Sequence, residues 1–142
     1  MSAYGKVAIV IGSRSDYDVA KPAVTVLDRF GVESEIRIIS AHRSPMEAHD
    51  FAVSAEERGF EVLIGVAGKA AHLAGVLAGY TTLPVIALPV QTSFMGGLDS
   101  LLSMVQMPKG VPVATVAVNG ADNAALLAVQ ILAVKYPELK AK

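Results

Sequence analysis

Three short clusters in this chain combine residue types that bind anions or move protons. The first is Gly12-Ser13-Arg14-Ser15-Asp16, which follows a β-branched run ending at Ile11. Hydroxyls and free backbone amides at the start of a helix suit a phosphate or a ribose hydroxyl. The plainer reading is that Ser15 or Asp16 only caps the helix. The spaced glycines and the lysine of a Walker or dinucleotide loop are missing, so neither fingerprint applies. The second cluster is Ser40-Ala41-His42-Arg43-Ser44-Pro45. Arg43 offers a planar fork to a phosphate, and a histidine such as His42 can move a proton near neutral pH. A lone histidine at a strand end is commonly structural, but the adjacent Arg43 strengthens the catalytic reading. The third is Ala67-Gly68-Lys69-Ala70-Ala71-His72-Leu73. Its small residues let a ligand approach the backbone, although tight packing alone accounts for Ala70 and Ala71. His49, mid-helix beside Asp50, reads as a solvated surface residue.

Other chemistries have little support. The chain has 142 residues and no cysteine, which removes disulfides, thiolate nucleophiles and Cys-based metal sites. The three histidines lack HxH or HExxH spacing, and only His42 and His72 are placed to converge, so no metal is expected. A Gly-x-Ser-x-Gly elbow is absent, which leaves a hydrolase nucleophile unsupported. With 12 Lys+Arg against 13 Asp+Glu, no Trp and 6% aromatics, nucleic acid is not an expected partner. Residues 1–6 lack the apolar core of a signal peptide, and no window reads as a membrane span, so a soluble cytoplasmic protein is expected. Hydrophobic residues make up 53% of the chain, far above a disordered composition. Mean hydropathy is +0.50, and surplus apolar surface suggests burial against further copies of the chain.

The elements that must position these clusters follow from periodicity. Apolar runs at 7–11, 35–40, 62–66, 85–88 and 113–118 predict strands. Most are continuous rather than alternating, which implies burial on both faces. Helical spacing predicts helices over 16–30, 45–58, 70–78, 98–105 and 123–134. Gly31 reads as a C-cap and Pro22 as a source of irregularity in the first helix. Ser44, Pro45 and Glu47 read as N-cap, first turn and capping-box partner of the second, with Gly59 at its end. Five βα units predict one domain over 1–142. The expected fold class is α/β: a doubly wound three-layer α/β/α sandwich with a five-stranded parallel sheet in flavodoxin-like order 2-1-3-4-5. In such a sheet a ligand sits beyond the carboxyl ends of the strands, where all three clusters fall.

At these junctions the sequence resembles the PurE family of purine biosynthesis, the 5-(carboxyamino)imidazole ribonucleotide mutases. Matching stretches include the three clusters, Gly97-Leu98-Asp99-Ser100-Leu101-Leu102-Ser103, Val105-Gln106-Met107-Pro108 and Asn123-Ala124-Ala125-Leu126-Leu127. The resemblance covers nearly the whole chain, with Lys69 and Ala74 standing where Gly and Pro are usual. It implies that His42 is the general acid/base. It implies substrate contacts from Ser13, Ser15, Asp16, Ala41, Arg43, Gly68, Lys69, His72 and Leu73, with Ser13 and Arg43 near the phosphate and Asp16 near the ribose. It further implies a homo-octamer, a small ribonucleotide substrate, and no metal or organic cofactor. The expected reaction moves a carboxylate from an exocyclic nitrogen to a ring carbon. Direct carboxylation by carbon dioxide is the alternative within the same resemblance.

Overall fold

The computed structural model describes residues 3–142. Met1 and Ser2, the head of the segment expected to lack a leader's apolar core, lie outside the described residues. The elements run β1 (Lys6–Ile11), a 3-10 turn (Arg14–Asp16), α1 (Tyr17–Arg29), β2 (Glu33–Ile38), α2 (Pro45–Ser54), β3 (Phe60–Ala67), α3 (Leu73–Ala78), β4 (Val85–Pro89), α4 (Leu98–Val105), β5 (Ala114–Thr115), α5 (Ala121–Lys135) and a last 3-10 turn (Pro137–Ala141). The strands are all parallel, in the order β2-β1-β3-β4-β5. That is the flavodoxin-like order expected from the sequence.

Successive strand residues point to opposite faces, so a continuous apolar run feeds two cores. Val7, Ile9 and Ile11 pack with α1 and α5, whereas Ala8 and Val10 pack with α2 and α3. The sheet is therefore sandwiched between two helical layers. On the second face α3 lies very close to β3. A Cβ added at Gly65 would come within 2.9 Å of both Cα and Cβ of Ala74, so glycine is what permits this approach. Gly31, at φ +74°, ends the first helical segment as expected. Val32 N–H donates to Leu27 C=O at 2.9 Å and Gly31 N–H to Asp28 C=O at 3.0 Å, a Schellman closure.

Several expected boundaries move, each for a physical reason. Pro22 lies inside an unbroken α1, and the only irregularity is the 3-10 turn that precedes the helix. Pro22 and Asp18 are both exposed, so water can serve the Asp18 carbonyl that the missing proline N–H leaves free. β2 begins and ends two residues early and is not a buried run, being an edge strand. Its Glu35 bonds Lys6 at 3.2 Å and Arg37 at 3.0 Å, and these donors hold the Glu35 carboxyl below its ordinary range. Charged side chains on an exposed edge discourage further strand pairing. Ser44 makes no side-chain cap bond, and α2 proper stops at Ser54. A further turn carries the chain to Gly59, at φ +91°, where Phe60 N–H closes on Ala55 C=O at 3.1 Å. The helix expected over 70–78 starts only at Leu73. β5 is two residues long, pairing with β4 only through Ala114 and Thr115; beyond the ladder, Val116 N–H still reaches Ala87 C=O at 3.0 Å. α5 is longer than expected at both ends. His49 is not simply solvated: it bonds Asp50 at 3.0 Å and its ring meets Tyr80 edge-on, with centroids 4.6 Å apart.

Candidate active site

The loops beyond the carboxyl ends of β1, β2, β3 and β4 surround one cleft of about 930 Å³. All ten residues singled out in the sequence line it: Ser13, Ser15, Asp16, Ala41, His42, Arg43, Gly68, Lys69, His72 and Leu73. Their convergence follows from strand order, since β2 and β3 both flank β1. Loops leaving β2 and β3 can therefore meet over the end of β1.

The β1 loop is held by its own hydroxyls. Ser13 Oγ accepts from Ser15 N–H at 3.3 Å and lies 3.0 Å from Ser15 Oγ. Ser13, not Ser15 or Asp16, caps the local turn, and Asp16 makes no side-chain cap bond to α1. Asp16 is buried in the cleft wall. Burial raises its carboxyl above the ordinary range, partly offset by a hydrogen bond from the Ser13 backbone. A buried carboxyl with a raised pKa in a cleft is a candidate functional position.

The β2 loop turns sharply. Ser44 N–H donates to Ser40 C=O at 2.8 Å, and Arg43 N–H to Ser40 Oγ at 3.1 Å. This turn projects His42 toward the β3 loop. His42 Nε2 lies 3.0 Å from His72 Nδ1, with the rings edge-to-face at 83°. Only one of these two facing nitrogens can hold the shared hydrogen, so the pair fixes each ring's tautomer relative to the other. His72 itself is the N-cap residue of α3 rather than a member of its first turn.

The β3 loop is clamped from α4. Lys69 N–H donates to the buried Ser100 Oγ at 2.9 Å, and Ser100 Oγ in turn donates to Val90 C=O at 2.8 Å. Among the described residues, no carboxylate pairs with Arg14, Arg43 or Lys69. The walls thus carry three cations without a direct ion-pair partner, alongside the carboxylates of Asp16 and Glu47. No group of three or more His, Cys, Asp or Glu side chains among the described residues is close enough to hold a metal ion.

Sequence reasoning missed one wall. Gln91, Thr92 and Ser93 also line the cleft, as does Glu47 from the first turn of α2. Gln91 N–H donates to Asn119 Oδ1 at 2.9 Å, and Thr92 Oγ1 donates to Asp99 Oδ1 at 2.7 Å. The available signal was position: these residues follow β4 directly, as the other three clusters follow their strands.

A histidine pair, cations without an ion-pair partner and a small-residue wall thus share one cleft. A family model described as AIR carboxylase matches residues 6–142. The chain belongs to this family. The N5-carboxyaminoimidazole ribonucleotide mutase of Pyrococcus abyssi is 58% identical to it over 137 residues, spanning 96% of this chain and 79% of that protein. The enzyme of the same name from Thermotoga maritima is 56% identical over 137 residues, spanning 96% of this chain and 80% of that protein. Among solved structures, Treponema denticola PurE matches with a TM-score of 0.87 at 31% identity, over 96% of this chain and 85% of that one. The layered sheet described above is shared with that structure, and the cleft at its carboxyl edge holds His42, Arg43, Lys69 and His72.

Proposed function

We propose that this chain is a 5-(carboxyamino)imidazole ribonucleotide mutase, an isomerase of purine biosynthesis. It converts the N-carboxylated ribonucleotide into 4-carboxy-5-aminoimidazole ribonucleotide. The observation that carries the mechanism is His42, lining one cleft with Ser13, Arg43 and the small residues Ala67 and Gly68 and held 3.0 Å from His72.

The steps follow from these groups. Arg43 and Ser13 hold the phosphate, and Asp16 accepts from the ribose hydroxyls. Anchoring at a remote group fixes the imidazole ring in register with His42. The N-carboxylate leaves water for a wall of alanine and glycine, losing the hydration that stabilises its charge. The bond between the exocyclic nitrogen and the carboxyl carbon breaks. Its electron pair stays on nitrogen, which takes a proton from His42, and carbon dioxide is released. The same pocket retains that small apolar molecule. The electron-rich ring carbon attacks it, and the ring-carbon proton passes back to His42. The proton balance closes with a single acid/base group, and no redox change occurs. Metal or organic cofactor has no part in this sequence of steps.

Residues 1–142 act as one functional unit in this reading, as a homo-octamer in the cytoplasm without nucleic-acid or membrane partners. Exposed apolar side chains such as Met46, at 67% exposure, and Val134, at 83%, support burial between copies. No helix among the described residues is long and apolar enough to cross a membrane. The test is an ultraviolet assay with the purified full chain. Interconversion of the two carboxylated ribonucleotides without added bicarbonate supports the mutase. A rate that requires dissolved carbon dioxide and 5-aminoimidazole ribonucleotide assigns the direct carboxylase instead.

A further inference from the structure

Lys69 has a backbone conformation that its residue type disfavours. Its φ is +61°, in the left-handed region where a Cβ crowds the neighbouring carbonyl and glycine is favoured. Such a residue persists only where surrounding structure over-determines it, and it is a pointer to use. The surroundings here are specific. Lys69 N–H is bonded to Ser100 Oγ at 2.9 Å, and Ser100 is fully buried with its own hydrogen committed to Val90 C=O. Ser103 Oγ, bonded to Asp99 C=O at 2.6 Å, also reaches Lys69 C=O at 3.2 Å. The backbone N–H and C=O on either side of the Lys69 Cα are therefore both held by α4, through serines 31 and 34 residues further along the chain.

The grip does not serve packing of the Lys69 residue, which is exposed and lines the same cleft as His42 and His72. No carboxylate pairs with it among the described residues. The proposed substrate carries two separate anions. Arg43, on the far loop after β2, takes the phosphate. Lys69 follows β3, on the opposite side of β1, and is the cation adjoining the small-residue wall.

We infer that Lys69 is the handle for the migrating carboxylate, and that Ser100 is a positioning residue that latches it. The inference rests on the mutase reading and adds the group that Lys69 recognises. It has a distinctive energetic signature. A cation on the carboxylate stabilises both bound carboxylated nucleotides but not neutral carbon dioxide. It therefore tightens binding without lowering the barrier to carboxylate loss. The uncarboxylated nucleotide, 5-aminoimidazole ribonucleotide, has nothing for Lys69 to hold.

The experiment measures equilibrium binding of 4-carboxy-5-aminoimidazole ribonucleotide and of 5-aminoimidazole ribonucleotide to the full chain. Lys69→Gln should weaken the carboxylated nucleotide about tenfold, the loss of one charge-assisted contact, and leave the uncarboxylated one unchanged. Lys69→Arg should restore the preference. In turnover, Lys69→Gln should raise KM while kcat holds or rises. Ser100→Ala should reproduce the loss of preference, and the double variant should lose no more than either single one. Equal weakening of both nucleotides, or of neither, overturns the role of Lys69, as does a collapse of kcat at constant KM. A Ser100→Ala protein that keeps the preference, or full additivity in the double variant, overturns the latch. Failure of the mutase reading is separately visible: the unmodified chain would bind both nucleotides yet fail to interconvert the carboxylated pair.

Discussion

His42 and His72 are 30 residues apart in sequence, yet His42 Nε2 lies 3.0 Å from His72 Nδ1. The contact spans the end of β1, because β2 and β3 are its two neighbours in the sheet. Strands two places apart are separated by roughly 9–10 Å, a gap that two facing imidazoles close. The contact ties the orientation of one ring to that of the other. The mutase reading assigns His42 the proton transfers at both the exocyclic nitrogen and the ring carbon, with the His72 ring held against it.

His42→Asn should therefore reduce kcat by about 10²–10⁴-fold, the usual contribution of a positioned acid/base. Its melting temperature should stay close to that of the unmodified protein, since the ring is exposed. Steady-state kinetics and a thermal melt check this together. A fully active variant would remove His42 from the proton path.

Arg43→Lys keeps the charge and loses the planar fork. KM should rise about tenfold, the equivalent of one charge-assisted hydrogen bond, with kcat and melting temperature little changed. Arg43 bonds the Ser40 hydroxyl through its backbone N–H, which the substitution preserves. Unchanged KM would show that the phosphate lies elsewhere.

Asp16 couples stability to pH. Burial raises its carboxyl in the folded protein. Between the ordinary carboxylate range and this raised value, the folded state holds a proton that the unfolded chain has released. Stability therefore falls as pH rises through that window. Asp16→Asn should flatten this part of the stability curve and melt higher than the unmodified protein above the window, while binding ribonucleotide more weakly. Thermal melts from acid to neutral pH, paired with a binding titration, test both halves.

Gly65→Ala places a methyl group 2.9 Å from Cα and Cβ of Ala74. Neither neighbour is a flexible side-chain end, so α3 must move off β3. The expected loss is about 1–3 kcal/mol of stability, measured by chemical denaturation. Since α3 begins one residue after His72, the displacement should also lower activity.

Much of this arrangement is legible before any coordinates. The apolar runs give β1, β3 and β4 nearly in full, and the βα junction rule brings His42, Arg43, Ser13 and His72 to one edge. What escapes is set by contacts distant in sequence. The left-handed backbone of Lys69 depends on Ser100 and Ser103, and nothing in Ala67-Gly68-Lys69-Ala70 announces it. Gln91, Thr92 and Ser93 resemble an ordinary polar loop until Asn119 and Asp99 fix them. Ser44 has the sequence of a cap, but the neighbouring turn uses Ser40 for its hydrogen bonds.

The most direct measurement of the central claim is turnover of isotopically labelled N-carboxylated ribonucleotide in buffer stripped of bicarbonate. The account predicts that the labelled carboxyl appears on the ring carbon with little dilution, because the carbon dioxide never leaves the cleft. Loss of the label to solvent before capture, or no product without added bicarbonate, would contradict it.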